Sequence, residues 1–148
     1  MYQHQQRRKI IRVMNAVAAG TSAQTSSAVD MRGWESVEFV AMFGTATTTH
    51  VTKLKAQQSS DDAAADAYAD LASSLTSQMA DGDSNKIARL EVVKPRERYV
   101  KCQIVRGTAN IVIDGMIAIL SGPHNEPITQ DATVSVNKSL VSPAEGTA

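Results

Sequence analysis

Apolar and polar side chains alternate along several short segments of the chain, which is the pattern of half-buried β-strands. The clearest alternation begins at Trp34 and places Val37, Phe39, Ala41 and Phe43 on one face. A residue repeat of two brings these side chains to one side of a strand. The pattern therefore predicts a strand whose apolar face lies in the core.

A second alternating segment covers residues 50–60 (HVTKLKAQQSS). It places Thr52, Leu54 and Ala56 on the face opposite to Val51 and the two lysines. A turn-like break, residues 44–49 (GTATTT), separates this segment from the strand that precedes it. Two strands joined by a short turn commonly pair, so we expect these two to form a hairpin.

The rest of the chain offers further short segments joined by turn signals. Residues 9–19 fit a strand or a short helix, and residues 133–136 fit a weak strand. Residues 59–70 are expected to be a loop that could include a helical turn, with residues 68–71 briefly touching the sheet. Gly115 predicts a bulge. Three stronger strands are predicted at 86–94, 98–106 and 110–121.

Short strands at this spacing indicate a single all-β domain, either an antiparallel β-sandwich or a barrel. The first residues are basic and rich in glutamine, and the last are small and polar, so both ends are expected to be extended arms. The boundaries predicted are an N-terminal arm at 1–12, the β domain at 13–139 and a C-terminal tail at 140–148.

Composition and charge narrow the function classes. The 148 residues are long enough for one hydrophobic core, and apolar residues make up 43% of them while aromatic residues make up 4%. Basic and acidic residues are equal at 15 each, so no net charge draws the chain to nucleic acid or to a membrane. A near-neutral chain with a single cysteine fits a component of an assembly that is made in a reducing cytoplasm.

The segment RERYVKCQIVRG contains the single cysteine and the densest group of basic residues. Cys102 shares a face with Val100 and Ile104, so we expect a buried thiol that packs as a small apolar side chain. A nucleic-acid surface would add exposed aromatic rings, and Tyr99 is the only one nearby. We expect a solvated face or a rim that contacts an acidic protein neighbour, formed by Lys94, Arg96, Arg98, Lys101 and Arg106.

No motif in the chain carries chemistry. Asp81, Asp83 and Asn85 alternate like calcium ligands, but the glutamate that completes an EF-hand loop is absent, so a turn is expected. Histidines 4, 50 and 124 lie in separate segments, which gives no metal site. A polymer hydrolase needs paired carboxylates, which only the fold could bring together from Glu35, Glu38, Glu91 and Glu97. We therefore expect no catalytic residues, no cofactor and no metal.

Four segments in fixed order carry a resemblance to a known family: DMRGWESV (30–37), HVTKL (50–54), RERYV (96–100) and RGTAN (106–110). Together they resemble small head proteins of tailed bacteriophages, a family that looks like capsid decoration or cement proteins. The resemblance extends from about residue 10 to the C-terminus.

The resemblance implies a jelly-roll-like β-sandwich, with an immunoglobulin-like strand order as the other option, that binds the outside of the mature capsid as a trimer. The implied partner is the major capsid protein, and the implied location is the virion exterior after synthesis in the bacterial cytoplasm. A tail or receptor-binding component is the main alternative, and it would show exposed aromatic rings on loops. We predict contact residues in the arms and the basic rim: Tyr2, Arg7, Arg8, Lys9, Arg12, Arg96, Arg98, Leu140 and Val141.

Overall fold

The computed structural model describes residues 4–147 and shows a nearly all-β chain. One short helix, α1 (His4–Arg7), precedes the strands. The strands are β1 (Arg8–Met14), β2 (Val17–Gly20), β3 (Gln24–Thr25), β4 (Val29–Asp30), β5 (Trp34–Ala46), β6 (Val51–Ser59), β7 (Ala69–Asp70), β8 (Ile87–Val93), β9 (Tyr99–Gly107) and β10 (Ile111–Pro123). They form two antiparallel sheets, which confirms the prediction of a β-sandwich.

The strand order is that of a jelly roll. The first sheet runs β1-β10-β5-β8, with β2 also paired to β10, and the second runs β3-β9-β6-β7, with β4 also paired to β9. If β1 with β2, and β3 with β4, are each counted as one interrupted strand, eight strands remain. The first then neighbours the eighth, the second the seventh, the third the sixth and the fourth the fifth. A folded double ribbon of this kind is a jelly roll, so the immunoglobulin-like option is set aside.

The core lies between the two sheets and is built from the alternating faces that the sequence indicates. Val37, Phe39, Ala41 and Phe43 of β5 are all buried, as the period of two requires. In the second sheet, β9 buries Val100, Cys102 and Ile104 and β6 buries Leu54 and Ala56. Burial of this aliphatic surface is the main force that holds the sheets together.

The prediction that β5 and β6 form a hairpin is wrong, because the two strands belong to different sheets. β5 pairs with β10 on one side and with β8 on the other, so both of its edges are occupied by distant segments. β6 pairs instead with β9. The turn between the two strands therefore carries the chain across the sandwich, although the predicted division of the β6 side chains between two faces is confirmed, with Thr52, Leu54 and Ala56 buried.

The prediction of an extended N-terminal arm is wrong for residues 8–12, because they belong to strand β1. Arg8 is opposite Ser121 and Ile10 is opposite Ile119 in a ladder with β10. Val13 is buried, and this gives the strand an anchor in the core. Residues 9–19 thus form strand rather than helix, with an interruption before β2. The remaining residues 4–7 of the described arm form α1.

The weak strand at 133–136 is also wrong, since the structure assigns no strand to that segment. Side chains of residues 130–133, at and before its start, instead cover the outer edge of β1. Gln130 Oε1 accepts a hydrogen bond from the N–H of Ile10 at 3.1 Å, and Thr133 Oγ1 accepts one from the N–H of Arg12 at 3.0 Å. The segment therefore satisfies the edge through side chains and does not add a strand to it.

Two smaller predictions are confirmed. Residues 68–71 do touch a sheet, because Ala69 pairs with Gln58 of β6. Gly115 does mark a bulge, because the pairing of β10 with β5 shifts between Ile113 and Gly115. A side chain at Gly115, where φ is +148°, would begin 3.2 Å from the carbonyl oxygen of Met14, so glycine lets β1 approach closely.

Within the described part of the chain, the one helix is too short to cross a membrane.

Candidate interaction surface

A basic groove opens at one end of the sandwich, where β4, β8 and β10 end and β5 and β9 begin. It encloses about 500 Å³. A backbone hydrogen bond joins the end of β10 to the turn before β5, since the N–H of His124 donates to the carbonyl oxygen of Gly33 at 2.9 Å. The side chains that matter for its charge and shape are Arg32, Trp34, Lys94, Arg96, Arg98 and His124.

Arg98 is fixed in this groove by a two-pronged ion pair with Asp30. Nε lies 2.9 Å from Oδ1 and Nη2 lies 2.7 Å from Oδ2. The hydrogen bond from Arg98 is the largest cause of the lowered pKa of Asp30, and the same bond raises the pKa of Arg98. The guanidinium also stacks over the ring of Tyr99, with 4.8 Å between carbon Cζ and the ring centroid. Arg98 is therefore oriented, and its charge is largely neutralised.

Arg96 differs from Arg98 because its side chain is exposed and makes no hydrogen bond or ion pair with the described residues. Arg32 and Lys94 are exposed beside it, while the groove has only two glutamates, Glu35 and Glu97. Cationic side chains thus outnumber carboxylates around the opening. The groove can accept an acidic segment, with Lys94 and Arg96 as exposed cations that have no ion pair with the described residues.

The predicted basic residues of the N-terminal segment divide between two positions. Arg8 begins β1 at the same end of the first sheet as the groove, because Ser121, its partner, is itself opposite Ser36 near the start of β5. Arg7 precedes it and pairs with Glu126 at 3.1 Å. Lys9 lies 3.7 Å from Asp131 and is only half-exposed.

The structure does not bring the other predicted contact residues into the groove. Arg12 is exposed but sits further along β1, opposite Ile117. Leu140 and Val141 are exposed in the C-terminal segment at 64% and 68%. Tyr2 lies outside the described residues.

Arg106 is the residue that sequence reasoning placed wrongly. It was expected on a solvated face, yet only 7% of it is exposed. Its guanidinium donates to the carbonyl oxygens of Ser22, Ala18 and Ile111 at 2.7, 3.2 and 2.9 Å. Burial lowers its pKa. The signal in the sequence was the alternation of β9, which puts residue 106 on the same face as the buried Cys102 and Ile104.

Aspartates in two loops accept hydrogen bonds from backbone N–H groups. The carboxylate of Asp61 accepts hydrogen bonds from the N–H groups of Ala64, Ala65 and Asp66, which lowers its pKa. Asp81 Oδ1 accepts one from the N–H of Thr49 at 2.9 Å. Across residues 4–147, no three His, Cys, Asp or Glu side chains are grouped to hold a metal ion.

Two tyrosines on the outer face of the second sheet are covered by cations. Lys101 Nζ lies 3.9 Å from the centroid of the Tyr68 ring, while Arg98 covers Tyr99. The hydroxyl of Tyr68 also donates to Asp62 at 2.6 Å. Burial and this carboxylate raise the pKa of Tyr68. These rings are not open platforms for stacking.

Comparison with known proteins gives a similarity of fold. No protein-family model matches the chain, and no curated protein matches it significantly. Among solved structures, the chain is similar to one in the structure of infectious bursal disease virus, Gx strain, with a TM-score of 0.51 and 13% identity. The match covers 82% of this chain and 35% of that one, so this chain spans about a third of the viral chain.

Proposed function

We propose that this protein is a structural component of a phage virion, a cement or decoration protein that binds the outer surface of the mature head and bridges subunits of the major capsid protein. The proposal places it outside enzymes and on the virion exterior, after synthesis in the bacterial cytoplasm. The observation that carries it is the jelly-roll fold, which viral capsid domains use widely.

Three further observations support the proposal. The fold is similar to a chain of a solved virus structure. The motifs of the chain resemble those of small phage head proteins. The basic groove, with an exposed and unpaired Arg96, offers a surface for an acidic segment of a capsid subunit.

The mechanism requires binding and no catalytic step. A protein that binds only the expanded capsid lattice stabilises it by mass action, because rupture of the lattice must first release the bound copies. Individual contacts need only modest affinity, since copies linked in a trimer gain avidity over symmetric sites. In this scheme Arg96 and its basic neighbours contact the capsid, and the other copies of the trimer extend the contact to adjacent subunits.

The experiment is co-sedimentation of the purified protein with expanded capsids of the parent phage, with unexpanded procapsids run in parallel. We expect saturable binding at a fixed copy number per particle and a preference for the expanded form. Binding to neither particle would overturn the proposal.

A charge reversal locates the contact. Arg96→Glu should weaken capsid binding at least tenfold, because it replaces an exposed cation of the groove with an anion. Lys53→Glu is the matched control, since Lys53 lies on β6 away from the groove. Equal binding by both variants would exclude the groove as the contact.

A receptor-binding role in the tail is the second candidate, because jelly rolls also occur in lectins. The covered rings of Tyr68 and Tyr99 count against sugar stacking. The half-buried Trp34 at the groove is the ring that a sugar could reach. Binding to host cell envelopes that is lost in Trp34→Ala, together with no binding to capsids, would favour this role.

A further inference from the structure

Strand β8 leaves one edge of the first sheet open. On either side of β8, the N–H of Lys94 donates to the carbonyl oxygen of Glu35, and the carbonyl oxygen of Lys86 accepts from the N–H of Phe43. The even-numbered residues of the strand therefore direct their backbone groups towards β5. In an antiparallel ladder the residues between them direct N–H and C=O the other way. The outward groups belong to Ile87, Arg89, Glu91 and Val93. None of them forms a backbone hydrogen bond with another residue in the range 4–147.

The other long edges of the sandwich are covered. The outer edge of β1 bonds to the side chains of Gln130 and Thr133. The outer edge of β6 bonds to residues 71–79, where the N–H of Thr76 donates to Leu54 and the N–H of Met79 donates to Thr52. The remaining edge consists of β3 and β4, which have two residues each. Short or covered edges resist pairing with other chains, so the seven-residue β8 stands apart.

The side chains along β8 also favour a partner. Ile87 is 59% exposed and Val93 is 61% exposed, at the two ends of the strand. The charge of Arg89 between them is paired with Glu38. A hollow of about 260 Å³ lies beside Ala88 and Arg89, next to the segment that covers β6. This edge therefore has free hydrogen-bonding groups, apolar contacts and space for an incoming strand.

The C-terminal segment has the alternating sequence of a strand but pairs with no strand of its own chain. Residues 133–141 (TVSVNKSLV) place Val134, Val136, Lys138 and Leu140 on one face and four polar residues followed by Val141 on the other. Val136 is 83% exposed and Leu140 is 64% exposed. The segment lies along β1, at the opposite edge of the first sheet from β8, so it is poorly placed to pair with β8 of its own chain.

We propose that the C-terminal segment, residues 133–141, of one copy adds as a strand to the open edge of β8 in a second copy. Addition of an extended segment to a sheet edge is a common mode of protein recognition, in which main-chain hydrogen bonds provide affinity. The occupant is thus a second copy of this chain, and the inference gives residues to the self-association that the proposed function includes.

Charge and apolar contacts favour a parallel direction of pairing. In a parallel register Lys138 is opposite Glu91, so a cation meets a carboxylate. The same register places Val134 opposite Ile87 and Leu140 opposite Val93. Apolar contacts and opposite charges between the side chains of neighbouring strands stabilise a sheet.

The interface joins different surfaces of the two copies, the β8 edge of one and the C-terminal segment of the other. Each copy therefore keeps one donor segment and one acceptor edge. Such head-to-tail interfaces close into rings when the rotation between copies permits. A ring of three is the closed form that matches a trimer.

Disulfide trapping tests the pairing with purified protein alone. Two variants, Val93→Cys and Leu140→Cys, are prepared separately and mixed under oxidising conditions. We expect a cross-linked dimer that contains one copy of each variant. Cys102 is fully buried and does not compete. The control mixture pairs Leu140→Cys with Thr25→Cys, which is exposed on β3 at the far edge of the other sheet. Equal cross-linking in both mixtures would overturn the proposal.

A second test measures mass by sedimentation equilibrium. The wild-type protein should form a discrete oligomer, and Val134→Asp with Leu140→Asp should weaken association at least tenfold by placing charges opposite the apolar Ile87 and Val93. Ser142→Asp with Thr147→Asp is the matched control, because it adds the same two charges at exposed positions outside the segment. A monomeric wild-type protein, or an oligomer that the valine and leucine substitutions leave unchanged, would contradict the proposal. Either result would leave capsid binding by the groove to be judged separately.

Discussion

Arg106 donates a hydrogen bond of 2.9 Å from Nη1 to the carbonyl oxygen of Ile111, and this bond joins the second sheet to the first. Its Nε donates to Ser22, in the connection that leads from one sheet to the other. A buried guanidinium with several carbonyl acceptors is costly to remove, because the acceptors lose their donors and water cannot easily replace them. The buried arginine therefore acts as a clamp across one side of the sandwich.

Replacement of this clamp should destabilise the fold. Arg106→Ala is expected to lower the free energy of unfolding by about 3 kcal/mol, since buried carbonyl oxygens are left without donors and a void opens. Urea unfolding followed by circular dichroism measures the change. Arg96→Ala, which truncates an exposed arginine, should change the stability by less than about 0.5 kcal/mol. Similar losses in the two variants would contradict the clamp.

The buried thiol of Cys102 predicts a dependence of stability on alkaline pH. Burial raises the pKa of this thiol from 9.0 to about 12. The folded state therefore retains a proton that the unfolded state releases above pH 9. This contribution is fully present below pH 9 and is lost as the pH rises towards 12, at up to about 1.4 kcal/mol per pH unit.

The comparison with Cys102→Ala isolates this effect from other groups that titrate in alkali. Unfolding free energies of both proteins are measured from pH 8 to pH 10.5. The wild-type protein should lose stability relative to the variant above pH 9. A constant difference between the two proteins would show that the thiol does not titrate differently in the folded and unfolded states.

Gly122 should not tolerate a side chain. Its φ is +67°, and a Cβ atom there would lie 2.9 Å from Cβ of Glu35. Gly122→Ala is therefore expected to cost about 2 kcal/mol through backbone strain and this contact. Thermal unfolding measures the loss. Gly82→Ala is the control, because no atom lies within 4 Å of the added carbon and the expected change is near zero. A harmless Gly122→Ala would refute the contact.

The covered edge of β1 predicts a local change in hydrogen exchange. Thr133→Val removes the acceptor for the N–H of Arg12 and should speed exchange of that amide by roughly tenfold, equivalent to about 1.4 kcal/mol of local protection. Exchange measured by NMR gives the rate at this amide. Thr129→Val is the control, since Thr129 is exposed and forms no hydrogen bond with the described residues. Unchanged exchange at Arg12 would show that other groups protect the edge.

The sequence predicted which faces of the strands are buried more reliably than which strands are neighbours. Alternation depends on the side chains of one segment, so the burial of Phe39 and Cys102 could be inferred from a few residues. Pairing depends on segments far apart in the chain. The expected hairpin therefore failed, because β10 and β8 occupy both edges of β5.

In the candidate site, too, the features that depend on one segment were predicted and those that depend on distant segments were not. Arg96 and Arg98 were recognised as part of a basic rim, but the groove also depends on Arg32, Trp34 and His124, which the fold brings in from two other segments. Local charge density cannot show which arginine has a partner. Asp30 neutralises Arg98 from 68 residues away, and Arg106 is buried by contacts with β2 and β10.

The arrangement of the first sheet also has a consequence for how the chain acquires its structure. β1 forms its ladder with β10, so Ile10 must await Ile119, more than a hundred residues later. During synthesis the first strand emerges from the ribosome long before its neighbour exists. Pairing between such remote segments slows folding to the range of milliseconds to seconds. Ordering of the N-terminal strand is therefore expected to be a late event, completed only after β10 has left the ribosome.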